Sequence, residues 1–159
     1  MRINFVLLSC LLLTIATAAS AQTKFSGISQ CAKADPVYTV PVGDRPDHMM
    51  SLIKDKCTWT SGEIRGVQVK EEDDTIVSDI SGSRSRDRGN GVGTLANGDK
   101  AFVQFQGTNT IKDKMPVTTQ GTWSFTGGTG KMKGLSGKGT YKGKWNPDGT
   151  STFEIEGEY

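Results

Sequence analysis

The chain has 159 residues, enough for one ordinary domain once a leader is set aside and too few for two. Its formal charge of +2 balances 19 Lys and Arg against 17 Asp and Glu, without the basic stripe of a nucleic-acid binder, so nucleic acid is not expected as a partner. Glycine is abundant (20) and proline sparse (5), and no segment carries a helical stripe; the recurring pattern is the two-residue alternation of strands.

The first segment reads as an address rather than as structure. Met1-Arg2 gives a basic start, Phe5 to Ile15 is almost wholly apolar, and Ala16-Thr17-Ala18-Ala19-Ser20-Ala21 offers the small side chains that signal peptidase requires. This order predicts a secretory signal peptide over 1–21, cleaved after Ala21, and a single mature domain over 22–159 in the periplasm or outside the cell. The apolar run falls short of the roughly 20 residues of a membrane span, and no second run follows, so no span is expected. The apolar stretch continues past Cys10, and Leu7-Leu8-Ser9 lacks the small residue that precedes an acylated Cys, which argues against a lipid anchor. Cys31 and Cys57 remain after processing. An even pair in an oxidising compartment predicts a disulfide, which in the chain-entropy picture stabilises by about 3–4 kcal/mol. A catalytic thiol is the alternative, without a Cys-x-x-Cys spacing to favour it.

Strands are expected next at 36–42, 48–59, 63–71 and 75–84. Between the first two, Gly43-Asp44-Arg45-Pro46-Asp47-His48-Met49-Met50 contains the only histidine. On a strand starting at Asp47, His48 shares a face with Met50 and Leu52 and points into an apolar lumen. Asp44 or Asp47 would orient its imidazole as a general acid or base, and Arg45 would hold an acidic ligand head group. Asp44, Arg45, Asp47 and His48 are thus the candidate ligand-binding cluster, with His48 the candidate catalytic residue. The plainer reading makes His48 a rim residue and the preceding four residues turn chemistry, with Asp47 capping backbone groups. Two charge runs, Glu71-Glu72-Asp73-Asp74 and Arg84-Ser85-Arg86-Asp87-Arg88, nearly cancel and read as solvated loops or strand ends, with an electrostatic docking patch as the alternative.

Asn97-Gly98 predicts a type I′ turn, which sets Val92 opposite Val103 and Thr94 opposite Ala101. Beyond it Ala101, Val103 and Phe105 alternate with Gln104 and Gln106, although Phe102 breaks the pattern. Thr119, Gly121, Trp123 and Phe125 then alternate with Gln120, Thr122 and Ser124. The last hairpin is defined by its turn, Asn146-Pro147-Asp148-Gly149. Pro147 suits position i+1 of a type I turn, and Gly149 suits the left-handed residue after it. This loop pairs Lys142 with Glu154, Lys138 with Glu158 and Tyr141 with Ile155, so opposite charges meet on the wet face and apolar groups on the dry one. A one-residue slip would destroy both matches. The whole predicts an all-β antiparallel barrel of about eight strands, with a sandwich as the alternative.

The stretch from Trp123 through Gly127-Gly128-Thr129-Gly130, Lys131-Met132-Lys133-Gly134 and Gly137-Lys138-Gly139-Thr140-Tyr141 resembles the allene oxide cyclase-like barrels, the superfamily that includes the dirigent proteins. The resemblance implies an eight-stranded barrel around a central cavity, with self-association. It also brings two activities, cyclisation of an unstable fatty-acid epoxide and guided radical coupling of phenols, whose cavity residues do not map onto this chain one by one. The same glycines do not fit a phosphate loop, because Phe125 stands where its first Gly belongs and Met132 follows Lys131, nor a dinucleotide fingerprint, which needs a following helix. Gly82-Ser83-Arg84-Ser85-Arg86 is no nucleophile elbow. One His and scattered carboxylates predict no metal site, and no cofactor is implied. The aromatic residues Trp59, Phe105, Trp123, Phe125, Tyr141 and Trp145 read as barrel core ahead of a stacking cage. Three functions follow: a binding barrel for a small apolar or amphipathic ligand, an allene oxide cyclase-like isomerase using His48 or a nearby carboxylate, and an assembly protein with a filled lumen.

Overall fold

A computed structural model describes residues 22–159; the expected signal peptide lies outside the described residues. Ten strands follow one another: β1 (Lys24–Cys31), β2 (Val37–Pro41), β3 (His48–Ser61), β4 (Glu63–Ile64), β5 (Val67–Ser81), β6 (Arg84–Leu95), β7 (Lys100–Lys112), β8 (Met115–Gly128), β9 (Gly137–Trp145) and β10 (Ser151–Glu158). Eight of them form a closed antiparallel barrel in the order β3-β1-β10-β9-β8-β7-β6-β5, shut by pairing of β3 with β5. β2 continues the row of β1 along the same edge of β3, and β4 adds a short pairing to β5. Among the described residues no helix is long and apolar enough to cross a membrane.

The C-terminal hairpin follows its turn chemistry. Gly149 adopts φ +88°, its N–H donates to Asn146 O at 3.0 Å, and Lys142 faces Glu154, Lys138 faces Glu158 and Tyr141 faces Ile155. The Asn97-Gly98 hairpin departs from expectation. Gly98 is left-handed (φ +84°) but Asn97 is not among the positive-φ residues, so the turn is not type I′. Gly98 N–H donates to Leu95 O and Leu95 N–H to Asp99 O, both at 2.9 Å, which makes a three-residue loop. The Asn97 side chain accepts from Asp99 N–H at 3.1 Å and fixes that geometry. The register consequently slips by one: Val92 faces Phe102, Gly91 faces Val103 and Thr94 faces Lys100. The slip turns Gly89, Gly91 and Gly93 inward.

The two charge runs are not loops. Glu71-Glu72-Asp73-Asp74 lies in the middle of β5, and Arg84-Ser85-Arg86-Asp87-Arg88 opens β6. Both therefore alternate: Glu71, Asp73 and the three arginines face solvent, while Glu72, Asp74, Ser85 and Asp87 face inward. β1 adds a strand to those expected from the sequence; its Phe25, Gly27, Ser29 and Cys31 point in. Cys31 faces Cys57 across the β1–β3 pairing and the two form the expected disulfide.

One end of the barrel is plugged. Between β8 and β9 a 3-10 turn, Gly130–Met132, folds over the opening, and Met132 and Leu135 are 0% and 2% exposed against Phe25, Trp59, Ile64 and Trp123. Arg65 Nη1 donates to Lys131 O at 2.6 Å, and Lys131 N–H donates to Asp99 Oδ2 at 2.9 Å, which ties the plug to both neighbouring loops. The aromatic core continues inward from it, with Trp123 centred 5.5 Å from Phe25 and 4.8 Å from Phe125. Toward the other end the inward positions turn polar, with Ser51, Ser78, Ser85, Asn109 and Thr119 all buried.

Candidate functional site

The lumen between the aromatic core and that polar layer holds a cavity of about 120 Å³. Four carboxylates line it, Asp55, Glu72, Asp74 and Asp87, together with Trp59, Phe105, Tyr141 and Phe153 and with no Lys, Arg or His. Strand pairing brings the acids together: Asp55 of β3 faces Asp74 of β5, and Glu72 faces Cys57. From the other side β6 presents Gly91 to Asp74 and Gly93 to Glu72. A Cβ on Gly91 would lie 2.6 Å from Glu72 Oε1 and closer still to Asp74 Oδ1, so the glycine provides the space in which both carboxylates sit.

Their surroundings differ. Asp87 accepts from Ser78 Oγ at 2.6 Å, Ser85 Oγ at 3.2 Å and Asn109 Nδ2 at 2.6 Å, and is thereby tied down. Trp59 Nε1–H donates to Glu72 Oε2 at 3.0 Å, and Lys56 N–H donates to Asp55 Oδ1 at 3.1 Å. Asp74 Oδ1 is buried and has no partner. A carboxylate removed from water resists ionising, and its neighbours' charges add to the resistance. Burial pushes Asp55 up to about 6, against the pull of the Lys56 N–H. Burial pushes Glu72 up to about 7, opposed by the Trp59 hydrogen bond and helped by Asp55; it keeps some exposed surface yet lies deep among protein atoms. Asp74, only 9% exposed, is driven well above the usual carboxylate range by burial first and then by Glu72, Asp55 and Asp73, with Lys54 opposing. Tyr141 is likewise raised to about 12 by burial and by Asp87 and Asp74. The result is a proton-holding acidic pocket with an open acceptor.

The residues singled out from the sequence lie elsewhere. β3 starts at His48, and His48 does share a face with Met50 and Leu52, but that is the outer face: Leu52 is 47% exposed, whereas Ser51 is 4% exposed. His48 is held between two carboxylates, Nδ1 to Asp44 at 2.5 Å and Nε2 to Asp79 at 3.0 Å. The Asp44 hydrogen bond above all, with Asp79 adding, raises its pKa, while the same contact lowers that of Asp44. Arg45 bonds Asp44 at 2.5 Å and Ser81 Oγ at 3.3 Å, and Asp47 occupies the turn with φ +56°. Both ring nitrogens are engaged, so the cluster acts as a clasp between the β2–β3 hairpin and β5 rather than a free proton relay. Three of the lumen carboxylates, Glu72, Asp74 and Asp87, sat inside the charge runs; alternation was the signal that could have separated them from their outward neighbours.

Two other features bear on chemistry. A larger concavity of about 1330 Å³ lies on the outside of the sheet, along the row Val77, Arg88, Gln106, Thr122, Thr140 and Glu156, away from the inward carboxylates. Among the described residues the one trio of His, Cys, Asp or Glu with ligand atoms within 4.8 Å of one another is Cys31, Asp55 and Cys57, whose sulfurs are joined to each other. The sequence matches no family model and no curated protein.

Proposed function

We propose that this chain is an exported binding barrel that takes a small amphipathic ligand into its lumen. The observation that carries the reading is Asp74 Oδ1, a buried acceptor without a partner beside a cavity walled by aromatic rings. Native interiors leave few buried polar atoms unsatisfied, and an apolar pocket with a few convergent polar groups is the usual form of a ligand site. At about 120 Å³ the cavity is near the size of one, on the order of 150 Å³, that admits benzene. Native mass spectrometry of protein purified from its host tests the proposal. A reproducible small adduct that raises the melting temperature is expected. No adduct, and no thermal shift across a panel of small amphiphiles, would leave an assembly barrel instead.

A second reading, a cyclase or isomerase of the allene oxide cyclase type, is favoured by Glu72, whose carboxyl at about 7 is poised to exchange a proton near neutral pH. On that reading Glu72→Gln abolishes turnover while His48→Ala, altered on the outer face, retains it. Membership of the allene oxide cyclase-like barrels, self-association and export to the periplasm or beyond belong to the same proposal. The Cys31–Cys57 disulfide supports an oxidising compartment. N-terminal sequencing of the exported protein should begin at Gln22.

A further inference from the structure

We infer that the lumen ligand is a small organic cation, an apolar body carrying a protonated amine whose N–H groups bond Asp74 Oδ1 and Glu72 Oε1. This rests on the binding-barrel reading and names its ligand class. The two oxygens converge over Gly91, and Glu72's other oxygen is already occupied by Trp59. Asp55 faces the same space from β3, Asp87 from β6 and the Tyr141 hydroxyl from β9, while Asp73 and Lys54 act from the outer face. No lining residue carries positive charge to offset the acids. Above pH 7, where Glu72 ionises, a carboxylate or phosphate ligand would add negative charge to an already acidic pocket, and a neutral apolar molecule would leave Asp74 unpartnered.

A bare metal ion fits less well. Asp55, Glu72 and Asp74 do not form a trio with ligand atoms within 4.8 Å of one another, the spacing a compact inner shell requires. An ammonium directs its donors apart and spans wider acceptors. The apolar walls suit the rest: Phe105, Tyr141 and Phe153 line the cavity together with the acids and would cover the apolar body of the ligand. Burial keeps the carboxyls protonated at low pH, so a cation must displace protons, and affinity should rise as pH passes about 7.

The test is titration calorimetry of the mature protein with benzylamine, benzyl alcohol and benzoate at pH 8. Benzylammonium should bind roughly 10- to 100-fold more tightly than the alcohol, the range expected for hydrogen bonds to a charged group. Benzoate should not bind, and the heat should vary with buffer because protons are released. Asp74→Asn, and separately Glu72→Gln, should reduce benzylamine to the affinity of the alcohol. Both variants remove buried charge and should fold. Equal binding of alcohol and amine, or a neutral or anionic native adduct, overturns the cation inference and leaves the binding barrel standing. No binding by any of the three overturns the inference, and if no native adduct is found either, the binding-barrel reading falls with it.

Discussion

Glu72→Gln should convert a pH-sensitive barrel into a less sensitive one. In the folded protein the Glu72 carboxyl is raised from 4.5 to about 7, chiefly by burial. The folded state therefore binds the proton more tightly than the unfolded chain, and the stability this gives is complete below about 4.5 and is lost as pH rises through about 7. The shift corresponds to an upper figure of about 3 kcal/mol. Gln keeps an oxygen for the Trp59 indole N–H and has nothing to ionise, so the variant should match the parent near pH 4 and exceed it by up to about 3 kcal/mol at pH 8, or roughly 10 °C in Tm for a domain of this size. Urea unfolding followed by tryptophan fluorescence at several pH values reads the difference directly. His48 and Asp55 act in the same sense as Glu72, and Asp44 and Asp148 in the opposite one, but these four are common to both proteins and cancel, whereas the raised Asp74 falls somewhat in the variant because Glu72 is one cause of its shift. Parallel stability profiles for parent and variant would refute the placement of an ionisable Glu72 deep in the lumen.

Other perturbations separate the remaining features. His48→Gln should destabilise most at pH 5 and progressively less as pH rises through the raised pKa of His48, measured by thermal melts; a deficit that grows with pH would contradict the Asp44–His48–Asp79 clasp. Replacing Cys31 and Cys57 together by Ser should lower stability by about 3–4 kcal/mol, and labelling of the unfolded, unreduced parent domain over 22–159 should find no free thiol. Met132→Ala should cost about 2–5 kcal/mol because the side chain is fully buried in the plug; a negligible change in the unfolding midpoint would mean that the plug closes nothing.

The hairpins and the barrel were legible because turn residues and alternation are local signals. Gly149 and the facing Lys142 and Glu154 agree on one register. Asn97-Gly98 misled because the dipeptide suits two loop lengths, and only Asp99, bonded to Asn97, selects the longer. β1 was hidden by Ile28, an apolar residue on the outer face, 41% exposed, which breaks the period set by Phe25. The acidic site was hidden for a related reason. In β5 the inward residues are Val67 and Val69 before a bulge between Val69 and Glu71, then Glu72, Asp74, Ile76, Ser78 and Ile80 after it. The apolar positions change from odd to even numbers, and that change alone implies the bulge and puts Glu72 and Asp74 inside. What no local pattern contained was the meeting of Asp55 with Asp74 across two strands.

The pairing of β1 with β10 has a consequence for how the pocket comes into being. Thr23 and Tyr159 exchange both backbone hydrogen bonds beside the Lys24–Glu158 pair, 134 residues apart in sequence, so the apolar wall that includes Phe25 and Ile155 is completed by stitching the first strand to the last. Such a seam closes late, because distant segments must find each other before their contacts reward them. A half-finished sheet would thus carry the acids without their enclosure, in contact with water and titrating as ordinary surface groups, and their reluctance to ionise would arrive only with the final clasp of the first strand to the last.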